Sequence, residues 1–130
     1  MARFERIRLV PITDADGNAV VYSPLISGRI VSVTYTKDTT APFADGIDLD
    51  LVGDDTGLVV WSEDDVNAGK AVYPLAAAVS TAGAALEYAT GFAQSVPVAI
   101  AGERLKLTVG AGGASKTGAF DIVIEGVCLS

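Results

Sequence analysis

Histidine is absent from this chain, and cysteine occurs once, at Cys128. Without an imidazole there is no Ser-His-Asp or Cys-His catalysis, no His-ligated metal and none of the usual proton shuttles of physiological pH. A lone cysteine excludes an intramolecular disulfide and any cysteine-based zinc site. Cys128 is expected to serve as a small, half-buried apolar side chain. Aromatic residues make up only 7% of the chain, too few for a base-stacking platform. Bases are outnumbered 9 to 16, a net charge of −7, whereas binding to a phosphate backbone needs clustered Lys and Arg. Nucleic acid is therefore left out of the expected partners. So is the membrane, because no apolar run approaches the ~18 residues that suggest a span. The opening "MARFERIRL" carries charges where a secretory leader needs an apolar core, so a reducing cytoplasm is the expected place of folding.

What is present is apolar and periodic. Half of the 130 residues are hydrophobic, enough for one domain, 1–130, that buries roughly two-thirds of its unfolded surface. The dominant period is two. In "GIDLDLV", Ile47, Leu49 and Leu51 share a face, with Asp48 and Asp50 on the other. "ERLKLTV" sets Leu105, Leu107 and Val109 against Arg104, Lys106 and Thr108, and "AFDIVIEG" aligns Phe120, Ile122 and Ile124. "RIVSVTYT" places Val31, Val33 and Tyr35 together. Such alternation is what a strand with one wet face requires.

Turn-forming stretches interrupt the strands at short intervals. "TDADGNA" (13–19) reads as a hairpin between "RIRLVPI" and "AVVYSPL", and the glycine-rich segment 110–118 reads as another. "DTTAPFADG", "GDDTG" and "EDDVNAG" are further turns. The pattern predicts an all-β chain: one antiparallel β-sandwich or jelly-roll-like domain with short turns. The alanine-rich segment 71–94 is ambiguous. Pro74 and the Ser80, Thr81, Gly83 group argue for a strand over 70–79 and a turn near 80–83, with a short helix near 75–90 as the alternative.

Three motifs invite a chemical reading. Gly110 to Thr117 stands one residue from a phosphate-binding G-x-x-x-x-G-K-[ST] loop, with Ser115 in place of the second glycine and Lys116 in place of the lysine. That cradle needs a helix after it, and here a strand pattern follows, so a turn is expected and a nucleotide hydrolase is disfavoured. Asp14, Asp16 and Asn18 begin like a calcium loop, but Ala19 and Leu25 occupy the positions of its glycine and glutamate. Asp54, Asp55, Glu63, Asp64 and Asp65 supply oxygen ligands without selecting a metal. No catalytic residue, cofactor or metal is assigned, and the chain is expected not to be an enzyme. Trp61 and Tyr88, with loop acids, are the elements of an alternative carbohydrate-binding jelly roll.

The stretches "SGRIVSVTYTKDTTAPFADGIDLDLVGDDTG", "AVYPLAAAVSTAGAAL" and "VPVAIAGERLKLTVGAGGASKTGAFDIVIEG" together resemble small bacteriophage virion proteins. The likeness lies in a G-x-I strand, an acidic strand ending in D-x-T-G, a Y-P strand before T-A-G-A-A-L, and a P-V-x-I-A-x-E-R-L-K strand before a glycine-rich turn with Lys-Thr-Gly. It spans most of residues 27–126 and implies a β-sandwich or jelly roll. The implied role is a capsid cement or decoration protein on the virion surface, with a head–tail junction or tail protein as the alternative. The expected partners are the major capsid protein or other virion proteins, and further copies of the chain, with a trimer favoured. Cyclic assembly would cover apolar residues such as Val123 and Phe92. Arg3, Arg6 and Arg8 crowd residues 1–8, an arm or an edge strand, whereas 38–65 holds nine acids and no base. The arginines are expected to meet a neighbouring subunit or an acidic capsid surface, or else to guard the wet side of an edge.

Overall fold

A computed structural model describes residues 3–77, 82, 87–89, 92–93 and 95–129. In chain order the strands are β1 (Phe4–Leu9), β2 (Ala19–Tyr22), β3 (Leu25–Lys37), β4 (Ile47–Gly53), β5 (Val59–Val66), β6 (Lys70–Val72), β7 (Leu75–Ala77), β8 (Glu87–Ala89), β9 (Phe92–Ala93), β10 (Ser95–Pro97), β11 (Ala99–Glu103), β12 (Leu105–Gly110) and β13 (Gly118–Leu129). No helix occurs among the described residues.

Two antiparallel sheets form a β-sandwich. One runs β1-β13-β3-β11, with β6 also paired to β3, and the other runs β2-β12-β4-β5. The alternating faces read from sequence meet between them: Phe120, Ile122 and Ile124 of β13 point inward, as do Leu49 and Leu51 of β4 and Leu105, Leu107 and Val109 of β12. Tyr35 stacks on Phe120 with ring centroids 4.9 Å apart, and Trp61 reaches Phe120 from the opposite sheet at 6.3 Å. Each such side chain contributes about 1.5–3 kcal/mol on burial, which is what holds the sheets face to face.

The long β3–β13 ladder runs from Lys37 opposite Gly118 to Leu25 opposite Leu129. It corrects one sequence-based face. Between the pairs Ser32–Val123 and Ile30–Ile124, Val31 has no partner, and this bulge puts Ile30 in the core and turns Val31 outward. A bulge adds one residue to one strand, so the period of two slips by one side chain there.

The turns 13–19 and 110–118 also differ from expectation. Neither closes a hairpin: β1 and β13 belong to one sheet, β2 and β12 to the other, so both segments carry the chain across the sandwich. They meet at one end, where Thr13 donates its N–H to Lys116 O and Gly112 donates to Gly17 O, each at 2.9 Å. Phe43, 2% exposed, seals that end from the 38–46 connection.

The segment from 70 to 79 divides at Tyr73–Pro74. β6 adds to β3 opposite Val33–Tyr35, whereas β7 leaves that edge and pairs with β10. Proline supplies no N–H to a ladder, so a break at Pro74 is expected. β8 pairs with β9, nested inside the β7–β10 ladder, and β11 returns to β3 opposite Ile26–Arg29. Among the described residues of 70–103, β6 and β11 thus both pair with β3, and between them lie the two-stranded ladders β7–β10 and β8–β9. Within the expected turn at 80–83 only Ala82 is described, as a turn; residues 78–81 and 83–86 lie outside the described residues.

Candidate interaction surface

The stretches singled out for chemistry turn out to be occupied by the chain itself. In the glycine loop, the N–H of Lys116 donates to the Thr13 hydroxyl at 2.8 Å and that of Thr117 to Ala41 O at 2.9 Å. The Thr13 hydroxyl in turn donates to Gly113 O. A phosphate cradle needs such N–H groups free and inward-facing, followed by a helix. Here they stitch a corner, and β13 follows. Asp14 Oδ1 accepts from the N–H groups of Asp16 at 2.9 Å and Asn18 at 3.1 Å, the pattern of an Asx turn.

Several acidic side chains of 38–65 are likewise engaged locally. Asp50 accepts from Ser62 Oγ at 2.6 Å and Asp45 pairs with Lys37 at 3.2 Å. Glu63 accepts from Lys70 Nζ and from Trp61 Nε1; the Lys70 hydrogen bond leads in holding its carboxyl below the ordinary value. Trp61 is only 7% exposed, which withdraws its ring from any surface on which a sugar would stack. Among the described residues no group of three or more His, Cys, Asp or Glu gathers as a metal site.

Glu103 has a structural explanation that sequence reading missed. It is 5% exposed, and its carboxylate accepts from the N–H groups of Asp55 and Thr56 and from the Thr56 hydroxyl. Burial pushes its carboxyl up, but those donors together outweigh burial and hold it below the ordinary value. The "GDDTG" turn is therefore anchored by a residue some fifty positions away, a pairing with no local signal.

Arg3, Arg6 and Arg8 lie along an edge. Among the described residues β1 is the outermost strand of its sheet and pairs only with β13, with Ile7 and Leu9 inward and Arg6 and Arg8 outward. Residues 4–9 are thus an edge strand and not a free arm. Arg8 grips Asp121 with two bonds of 2.9 Å. That contact leads in holding the Asp121 carboxyl low, burial opposes it, and the charges of Arg8 and Arg6 add. Arg3 pairs with Glu5 at 2.8 Å. Arg6 stands opposite Val123, which is half-buried.

Beside this edge lies an apolar groove of about 330 Å³. Phe4 forms one wall, Tyr73, Leu75 and Pro97 form the other, and Val31 lies in the floor. Phe4, Tyr73 and Leu75 are 62%, 70% and 63% exposed. The only charged side chains in the lining, Arg29 and Glu125, pair with each other. Sequence reading assigned none of these residues to a shared surface, and it placed Val31 inward. The available signal was compositional: residues 71–102 contain a single charge, Glu87. Phe92, selected from sequence, sits in β9 opposite Ala89; its side chain lies outside the described residues.

Comparison with known proteins adds little. No family model matches the chain, and no curated protein matches it. Among solved structures, one titled "Crystal Structure of FLHE" is similar over 95% of this chain and 96% of that one, at 14% identity and a TM-score of 0.43. A likeness at that level carries no argument about fold or role.

Proposed function

We propose that this protein is a non-enzymatic structural component of a bacteriophage virion, a cement or decoration protein that bridges major capsid subunits from the outer surface. The reading begins from the resemblance of residues 27–126 to small virion proteins. The observation that carries it further is the edge strand that turns Arg6 outward, beside the Asp121-paired Arg8 and next to an exposed apolar groove, on a chain whose net charge is −7. An outward arginine flanked by apolar surface suits a docking face whose partner is acidic at its rim. Weak contacts of this kind become effective when copies are repeated around symmetry axes. Assembly would take place in the host cytoplasm, with a trimer as the favoured unit. A head–tail junction or tail protein would use the same face.

The test is cosedimentation of the purified protein with capsid shells stripped of their own decoration. Reversing charge at the edge, Arg3→Glu with Arg6→Glu, should reduce occupancy on the shells while leaving the fold intact, since both side chains are outside the core. Deleting residues 1–8 is the poorer experiment, because it removes Ile7 from the core. Unchanged occupancy in the charge-reversed protein removes the edge from the account.

A further inference from the structure

We propose that two copies of the chain join edge to edge through β2, in a two-fold antiparallel pairing that sets Val20 of each copy opposite Tyr22 of the other. Two four-stranded sheets then become one continuous sheet. The proposal is independent of any virion role, because it rests on the backbone of β2 and the charges at its ends.

β2 is an edge strand, and its ladder partner among the described residues is β12 alone. Ser23 donates its N–H to Leu105 O at 2.9 Å, which fixes the alternation along the strand. Ala19, Val21 and Ser23 turn their backbone groups toward β12, and Val20 and Tyr22 turn theirs to the open side. That open run is bounded at both ends. Asn18 is already engaged, donating its N–H to Asp14 Oδ1 at 3.1 Å and accepting from the Asp14 N–H at 2.9 Å. Pro24 has no N–H to give.

An antiparallel two-fold centred on Val21 pairs every open group, with both N–H···O bonds made at each Val20–Tyr22 pair. Centring on Val20 would set Tyr22 against the occupied Asn18, and centring on Tyr22 would set Val20 against Pro24. One register therefore satisfies the edge. The side chains agree with it. Val20 and Tyr22, 48% and 49% exposed, lie on the wet face of the sheet, and a β-branched residue opposite an aromatic is a favourable cross-strand pair.

Charge at the ends of β2 favours a second copy, although the net charge of −7 opposes it at long range. The edge itself is uncharged. Asp14 and Asp16 lie in the turn that leads into it, whereas at its far end Lys106 stands opposite Tyr22 and Arg104 donates to Ser23 O at 3.1 Å. Antiparallel pairing turns the acidic end of each copy toward the basic end of the other. Two other edges lack this fit. β5 is interrupted by two register shifts and carries Glu63, Asp64 and Asp65. In β1, a two-fold centred on Arg6, Ile7 or Arg8 sets arginine opposite arginine.

Sedimentation of the full chain at loadings from about 10 µM to 1 mM tests this, in about 0.15 M salt so that the long-range repulsion is screened. The expected species is a weak dimer of 13.3 kDa subunits, since a contact along one short edge falls below the ~1,200 Å² of stable complexes. The Val20 and Tyr22 N–H groups should exchange with solvent more slowly as loading rises. Val20→Pro removes an outward N–H that β12 does not use, and should weaken association by about tenfold or more. A second pair of variants keeps the test open should the proline disturb the strand. Val20→Lys with Tyr22→Lys sets like charges opposite each other and should abolish the dimer, even though it brings the net charge from −7 to −5. Val20→Lys with Tyr22→Glu sets unlike charges opposite and should retain it. A monomer at every loading overturns the proposal. So does a dimer without slowed exchange at Val20 and Tyr22, or one that neither Val20→Pro nor the paired lysines weaken. Arg3→Glu with Arg6→Glu should leave the dimer unchanged, so loss of shell binding and loss of self-association are separable.

Discussion

Gly28 lies directly opposite Gly126 in the β3–β13 ladder, and a Cβ on either would overlap the backbone of the other strand. The strands approach there as closely as bare backbone allows. Gly126→Ala should therefore cost more than about 3 kcal/mol, in the upper range for a single substitution. Gly57→Ala, where a Cβ meets nothing within 4 Å but φ is +72°, should cost only about 1–2 kcal/mol from left-handed strain. Urea midpoints of the two variants provide the comparison, and equal losses would contradict the close approach.

The corner between the sheets depends on the hydroxyl of Thr13, a residue that is 4% exposed. Thr13→Val keeps the shape but leaves the Lys116 N–H and Gly113 O without that partner. A loss of about 1–3 kcal/mol is expected, the cost of unsatisfied buried groups. Amide hydrogen exchange should quicken at Lys116 before it quickens in the central strands.

Glu103 predicts a pH dependence. Its folded pKa is held below the ordinary glutamate value, so its contribution is present above that value, about 4.3, and is lost as pH falls through the lower folded value. Glu103→Gln should be less stable than the parent at neutral pH, and its stability should fall less steeply below about pH 4.3. Denaturant titrations at stepped pH read this directly; parallel profiles would rule out the carboxylate as the source.

The Lys116 side chain should be dispensable for any nucleotide chemistry. Lys116→Ala is expected to bind ATP no differently from the parent, as the loop N–H groups are already taken. Isothermal titration should show no heat with either protein. Saturable ATP binding abolished by the substitution would restore the phosphate-loop reading of 110–117.

Trp61, the sole tryptophan, offers a common reporter for all these variants. It is buried against Phe120, with its N–H on Glu63. Folded protein should emit at short wavelength and shift red on unfolding, and a parent that already emits as exposed tryptophan would contradict the packing of the two sheets.

Much of the sandwich was legible. Leu49, Leu51, Leu105, Leu107, Val109, Phe120, Ile122 and Ile124 are buried as their spacing required. Alternation reports which side of a strand is dry, and that depends only on near neighbours in the chain. Val31 escaped because the bulge that turns it outward, although it lies in β3 itself, is defined only by the register of β3 against β13. Glu103 escaped because its donors are in a distant turn, and the groove because Phe4, Val31 and Leu75 come together only when β1, β3 and β7 are assembled.

The amino-acid sequence by itself determined the class: short alternating strands, no imidazole, one thiol, a charge-poor stretch at 71–102 and a strand where a phosphate loop needs a helix. Only the tertiary structure decided that the 13–19 and 110–118 segments cross between sheets, that the arginines line an edge, and that a groove opens beside it. The physical reason is that side-chain alternation encodes a face but not a neighbour. Strand partners are chosen by long-range burial, and two sheets of equal periodicity leave that choice open until the chain has closed on itself.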